Sequence, residues 1–368
     1  MGMRGEALGS NGSGQLGITH KEDVSVPKPS QFEPPLPPSF AISRIAAGGN
    51  HTLVLLQSGE LYWSGDPSPG ACGLTGSVSN PSQSIFRPVK LTGEGSVLPE
   101  GTITDVAATW EASVILRREG DKTVVYTLGS GPKGELGLGG LPAEILRTPT
   151  ATLIPSFPPE GTKVVGLSAC MSHVVAVLDN GDVYGWGNGR KGQLGEPAEV
   201  VKTPRKISPV NFPVKRAVTG REFTCLVSSP ETGEILVLGS DKWGVRSSAP
   251  THVRDWKDVQ ASWGNVYVLN DGGRLLSWGR DDHGQMVPPE LPKVSKLAVG
   301  SEHVVCLSGD GDVLSWGWGE HGNCGPTADT DVKGRWNVVA SSKFIPEGLK
   351  ITGVGAGCAT SWVIITAG

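Results

Sequence analysis

Residues 167–195 read LSACMSHVVAVLDNGDVYGWGNGRKGQLG. An apolar run, an Asn180-Gly181 turn and a second apolar run closing on Trp186-Gly187 make a β-hairpin signal. A Gly-rich loop follows. The same order returns at 298–325, AVGSEHVVCLSGDGDVLSWGWGEHGNCG, and at 46–74, AAGGNHTLVLLQSGELYWSGDPSPGACGL. Looser copies occupy 107–137, 218–244 and 260–286. A seventh unit is divided between the ends. Residues 354–368, VGAGCATSWVIITAG, form a first half, and residues 4–17, RGEALGSNGSGQLG, form a second half.

The Gly closing the second strand falls at 9, 65, 129, 187, 239, 279 and 317, and 368 residues over seven units give about 53 each. That length suits one four-stranded propeller blade built on short alternating strands, with the extra strands drawn from the spacers. The split unit favours a closed ring over an open solenoid, because joining the ends removes an exposed sheet edge. The expected fold is an all-β, seven-bladed β-propeller of four-stranded blades, a single domain over 1–368. The closing blade combines 1–17 with 351–368, so Ala7-Leu8 should pair with Trp362–Ile365. The two shortest intervals, 40 and 38 residues, lie between Gly239 and Gly317. The stretch Thr19–Ser39 holds six prolines (27, 29, 34, 35, 37 and 38) and cannot be a central strand. It and the Pro-rich 138–163 are expected to be surface connections.

Composition agrees. Gly is 53 of 368 residues, about twice the usual share, so long helices are excluded. A net charge of −4 leaves no basic surplus for neutralising phosphates, so direct nucleic-acid binding is not expected. The six Cys stand at 72, 170, 225, 306, 324 and 358 without a C-x-x-C pair, which reads as reduced thiols. Apolar runs such as Val174–Leu178 are far too short to span a membrane. MGMRGEALGS has no apolar signal core, and Glu6 stands where a myristoylation motif wants Ser or Thr. Without a signal peptide, the sequons at Asn11 and Asn50 are not expected to carry sugar. The expected location is cytoplasmic, with the nucleus as a second.

No Walker loop, G-x-S-x-G elbow or convergent catalytic set appears, so no enzymatic activity and no cofactor are expected. His51, His173 and His303 share one repeat position and read as structural. His321 and Cys324 have ligand-like spacing, but Cys324 replaces Leu194 of Gly-Gln-Leu-Gly and reads as a small buried hydrophobe. No metal site is expected. Trp186, Trp278 and Trp316 share another position and read as blade-to-blade packing.

Hairpin geometry puts the G-x-x-H loop and the W-G-x-x-x loop at one end of each blade. Turns such as Asn180-Gly181, Asp271-Gly272 and Asp310-Gly311 lie at the other end. The first loop supplies Trp110, Glu111, Arg221, Glu222, Phe223, Trp263 and Glu302. The second supplies Asn11, Arg190, Lys191, Lys242, Trp243, Arg280, Asp282, His283, Trp318, Glu320 and His321. Aromatics mixed with arginine are what interface centres favour. The candidate partner-binding residues are Trp110, Glu111, Arg221, Glu222, Trp263, Arg280, His283, Glu302, Trp318, Glu320 and His321.

The G-x-x-H…W-G…G-Q-L-G pattern resembles the regulator of chromosome condensation repeat family across the whole chain. Gly14-Gln15-Leu16-Gly17, Gly134-Glu135-Leu136-Gly137 and Gly192-Gln193-Leu194-Gly195 carry it. The family implies a seven-bladed propeller with a split blade. ALGSNGSGQLG, GSEHVV, WGWGEHGNCGP and GCATSWVI resemble the fungal alpha-tubulin-suppressor, or killer-toxin-insensitivity, branch. That resemblance implies a heterodimer with a small acidic zinc- or iron-binding protein of the diphthamide pathway. It also implies a role in diphthamide formation on elongation factor 2 and, with Elongator reached indirectly, in tRNA wobble-uridine modification. The alternatives are a guanine-nucleotide exchange factor for a small GTPase, as in the founding family member, and a general scaffold. Against the exchange factor, no basic extension precedes the first half repeat. The Gly-Trp-Arg-His-Thr runs of a plant ultraviolet receptor with this fold are absent.

Overall fold

The computed structural model describes residues 4–37, 40–73, 84–91, 100–139 and 146–368. Residues 1–3 of the closing segment, Pro38 and Ser39 of the proline run and residues 140–145 of the second spacer lie outside the described residues.

The described chain forms seven antiparallel sheets. Their innermost strands are Ile42–Ala47, Thr102–Ala108, Val164–Cys170, Arg216–Thr219, Trp256–Ala261, Val294–Val299 and Leu349–Ala356. Each packs beside the next, and Leu349–Ala356 packs back on Ile42–Ala47, so the sheets close a ring of seven blades. We number the blades 1 to 7 in that order. Blade 7 is the split one: Leu349–Ala356 and Thr360–Ala367 are followed by Arg4–Gly9 and Val24–Pro29. Within it Ala7 lies opposite Trp362 and Leu8 opposite Ser361.

The second strands His51–Leu56, His173–Leu178, Phe223–Val227 and His303–Ser308 are buried along their whole length. They read as continuous apolar runs rather than alternating ones, because each blade packs against a neighbour on both faces. One such core joins Val114 and Val125 of blade 2, Val174–Leu178 of blade 3 and Leu226 of blade 4.

The spacers provide the outer strands, including the Pro-bearing Val24–Pro29 and Arg147–Leu153. Proline is tolerated there because the outer edge has no further strand to receive an N–H. Five sheets have four hydrogen-bonded strands and those of blades 4 and 5 have three. In blade 4 the outer segment is reduced to one bridge, Glu234 with His252. These are the blades followed by the two shortest intervals, where too little chain remains to run a full outer strand. The described helices are single 3-10 turns, Lys242–Gly244 and Ser342–Phe344. No described helix is long and apolar enough to cross a membrane.

Candidate functional site: the loop-bearing end of the ring

Side-chain hydrogen bonds join neighbouring blades at this end. His51 Nε2 lies 3.2 Å from Ser113 Oγ, His173 Nε2 3.2 Å from Thr224 Oγ1 and His303 Nε2 2.9 Å from Ser361 Oγ, each joining one blade to the next. Burial lowers all three imidazoles to about 4, so they are neutral at physiological pH. A Cβ on Gly48 or Gly300 would overlap the imidazole of its own loop, which is why Gly opens the G-x-x-H pattern there. Trp186, Trp278 and Trp316 donate from Nε1 to the carbonyls of Glu135, Val245 and Gln285, each in the second loop of the preceding blade. In that loop the Gln193 carboxamide accepts from the Lys191 N–H, and Gln15 and Gln285 repeat the contact. This accounts for the Gln of Gly-Gln-Leu-Gly.

The first loops form a collar at the axis. The Trp110 carbonyl accepts from the Gly49 N–H at 2.9 Å, the Met171 carbonyl from Trp110 at 2.8 Å, and the Trp263 carbonyl from Arg221 at 3.0 Å. Trp110 of blade 2 and Trp263 of blade 5 reach across the mouth, with ring centroids 6.1 Å apart. The Arg221 guanidinium sits 5.6 Å from the Trp263 ring. Arg221 has no carboxylate partner among the described residues. Below lies a cavity of about 460 Å³ lined by all seven inner strands. Its wall is polar but satisfied: Arg44 pairs with Asp105, Asp105 accepts from the Leu167 N–H, Arg216 donates to the Val259 carbonyl and Gln260 to that of Leu297.

The second loops of blades 4 to 6 continue the surface outward. Trp243 is 44% exposed and lies between two cations, Lys242 at 5.0 Å and Arg280 at 4.8 Å. His283 stacks on Trp318 at 4.8 Å and bonds Asp331 through Nδ1 at 3.0 Å. His321 bonds Asp23 of blade 7 at 2.8 Å. Trp110 (37% exposed), Glu111, Arg221 and Glu320 are open to solvent, and Glu222, Trp263 and Trp318 are half-buried.

Three residues assigned to this face from the sequence do not project from it. Glu302 is only 5% exposed. It ion-pairs with Arg280 and accepts from Gln285 at 2.8 Å, and burial pushes its carboxyl above the usual range. Glu302 therefore positions Arg280. Asn11 is fully buried and donates to the His20 carbonyl, and Phe223 is buried in the blade core. Arg280 is engaged by both Glu302 and Asp282; its hydrogen bonds hold the Asp282 carboxyl down at about 2. Among the described residues, Arg221 at the mouth has no carboxylate partner. The sequence reading missed Asp23, Asp331 and Gln285, which have no repeat position that marks them. His321 and Cys324 do not converge: Cys324 is buried against the Trp318 carbonyl. Among the described residues, no three His, Cys, Asp or Glu side chains form a metal-holding group.

The RCC1-like domain family matches residues 6–363, and the chain belongs to that family. An RCC1 repeat-containing protein of Schizosaccharomyces pombe is 32% identical over 372 residues, 98% of either chain. The mouse secretion-regulating guanine nucleotide exchange factor is 27% identical over 78% of this chain, which spans 62% of that relative's length. Prp20p of Saccharomyces cerevisiae superposes with a TM-score of 0.78 at 20% identity, over 100% of this chain and 92% of that one. Human WBSCR16 does so with a TM-score of 0.78 at 19% identity over 100% of both. Both structures are alike in fold.

Proposed function

We propose that this protein is a non-catalytic propeller subunit whose loop-bearing end docks a small acidic zinc- or iron-binding protein. The pair supports diphthamide formation on elongation factor 2 and Elongator-dependent modification of tRNA wobble uridines. The observation that carries a docking role is the exposed Trp110 and Trp243, with Arg221, which has no carboxylate partner among the described residues, on the end opposite the Asp271 and Asp310 turns. Aromatic anchors ringed by cations suit an acidic partner, with the charge steering encounter and fixing register. The choice of partner rests on the resemblance of the two ends, GSEHVV and WGWGEHGNCGP to the killer-toxin-insensitivity branch.

Calorimetry with the small metal protein tests it. Trp318→Ala or Trp263→Ala should weaken binding at least ~30-fold, the loss of an anchor worth ~2 kcal/mol. Arg221→Glu should slow association most at low salt. Asp271→Ala and Asp310→Ala should change little. Full affinity in the Trp variants, with folding checked by melting, would move the site elsewhere on the ring.

A second reading is an exchange factor for a small GTPase. Its support is the likeness to the mouse secretion-regulating guanine nucleotide exchange factor. Affinity purification separates the two: recovery of a GTPase whose nucleotide release this chain accelerates favours the second.

A further inference from the structure

Five blades carry a fourth strand of their own, and it runs antiparallel to the third. Two habits recur where it lies. The carbonyl four residues before the closing glycine accepts from the outer segment: Leu61 from the Val89 N–H, Val125 from Ile154 and Val183 from Ile207, at 2.8–2.9 Å. Opposite the closing glycine stands a β-branched residue: Val24 at Gly9, Thr148 at Gly129, Val201 at Gly187 and Val332 at Gly317.

Blade 5 lacks that strand among the described residues. Its third strand, Leu275–Gly279, pairs inward with Asn265–Asn270. The Asn270 N–H donates to the Arg274 carbonyl and the Arg280 N–H to that of Gly264, so the even-numbered residues bond inward. The N–H and C=O groups of Leu275, Ser277 and Gly279 therefore point outward, and no described strand lies there to receive them. Leu276 is 48% exposed, whereas Tyr62, Tyr126 and Leu314 at the same repeat position are buried. The chain that follows does not close this edge. The Val287 N–H donates to Ser277 Oγ at 3.0 Å, and Val287 and Leu291 pack with Leu275 in the core shared with blade 6. That strap lies on one face of the sheet, and Pro288, Pro289 and Pro292 deprive it of ladder donors. Leu275–Gly279 itself has neither the charge nor the proline that commonly guards an exposed edge.

We propose that the outer edge of blade 5 takes up an extended acidic segment of a partner protein as its fourth strand. The chain's own outer strands set direction and register: antiparallel to Leu275–Gly279, with a β-branched residue opposite Gly279. Main-chain hydrogen bonds to Leu275, Ser277 and Gly279 supply affinity, and side chains on alternate positions supply specificity. A strand seated there also covers Leu276. Charge sets the acidic character. Arg274 is exposed at the Asp271 end of the strand, Arg254 is exposed before the inner strand of the same blade, and neither has a carboxylate partner among the described residues. An acidic residue opposite Leu275 falls next to Arg274. The edge lies on the circumference of the ring, so it is open whether or not the loop-bearing end is occupied.

The probe is a synthetic peptide of residues 331–340, DVKGRWNVVA, this chain's own outer strand from blade 6, with a scrambled peptide beside it. In blade 6 its Val332 faces Gly317 and its Ala340 faces Val313, the equivalents of Gly279 and Leu275. Titrated into the full chain, it should bind at one site and slow amide exchange at Ser277 and Gly279 about tenfold or more. The scrambled peptide should do neither. The peptide carrying Ala340→Glu should bind about two- to fivefold more tightly at low salt, the worth of an exposed ion pair. In the protein, Ser277→Pro removes an outward N–H and places a ring in the path of the strand, and should lose about tenfold or more. Ser277→Ala keeps the N–H and should bind as the parent does. Melting curves establish that both variants are folded. No binding at millimolar peptide, unchanged exchange at Ser277 and Gly279, or full affinity in Ser277→Pro would overturn the proposal. So would a dimer of the free chain that Ser277→Pro dissolves, since the edge would then belong to a second copy.

Discussion

At the scale of single residues, buried polar groups both lock the blades and make the fold sensitive to pH. His51, His173 and His303 are at most 2% exposed, and burial lowers each from 6.5 to about 4. Between those values the unfolded chain binds protons that the folded chain does not. The part of the stability governed by these three histidines is therefore fully present above about pH 6.5, falls as pH drops toward 4 and levels off below. Each histidine contributes on the order of 3 kcal/mol to that loss. Urea midpoints at pH 7.5 and 5 should differ accordingly. In His173→Gln the dependence should shrink by about a third; an unchanged dependence would show that these imidazoles do not titrate this way. The structural part of these residues was legible, because His and Trp recur at fixed repeat positions. The pairing of Glu302 with Arg280 was not. The two residues belong to adjacent blades, and no repeat rule says that a loop carboxylate turns inward to hold a neighbour's arginine.

At the scale of strands and turns, one glycine per blade carries much of the pattern. Gly9, Gly65, Gly129, Gly187, Gly239, Gly279 and Gly317 all have φ between 103° and 120°. At each, an added Cβ would collide with a first-loop carbonyl of the same sheet, such as Ser172 O at Gly187. Backbone conformation and close approach thus demand glycine together. Gly187→Ala should cost about 2 kcal/mol or more. Gly166→Ala, in the inner strand of the same blade with nothing within 4 Å of its Cβ, should be neutral or stabilise by up to about 1 kcal/mol. Thermal melting of the two variants compares them directly, and equal losses would refute the collision argument. Because this glycine is irreplaceable, counting it gave the blade number from sequence alone. The outer strands left no such mark. They sit at a tolerant edge where length and proline content vary, so the three-stranded blades 4 and 5 were visible only as short intervals.

At the scale of the whole molecule, the ring is held shut by the chain's own two ends. Arg4–Gly9 pairs along its length with Thr360–Ala367, from Arg4 opposite Ile365 to Gly9 opposite Thr360. On its other side it carries Val24–Pro29. The loop after it reaches blade 1, where Ser64 Oγ donates to the Gly14 carbonyl at 2.7 Å. Leu8 and Leu16 are fully buried. Each stabilises the fold by about 1.5–3 kcal/mol. A closed ring has no independent half to fall back on, since every blade supplies a wall for two others. Deleting residues 1–17 therefore opens one sheet edge, strands an outer strand and unseals the interfaces on either side of blade 7. The loss should be several kcal/mol, comparable with the ~5–15 kcal/mol by which domains are stable at all. The truncated chain should melt far below the parent or without a cooperative transition. Excess synthetic peptide 1–17 should restore a cooperative melt, while a scrambled peptide of the same composition should not. A truncated chain that melts cooperatively near the parent temperature would mean that the first strand is an appendage, and that blades 1 to 6 with Leu349–Ala367 close the ring without it.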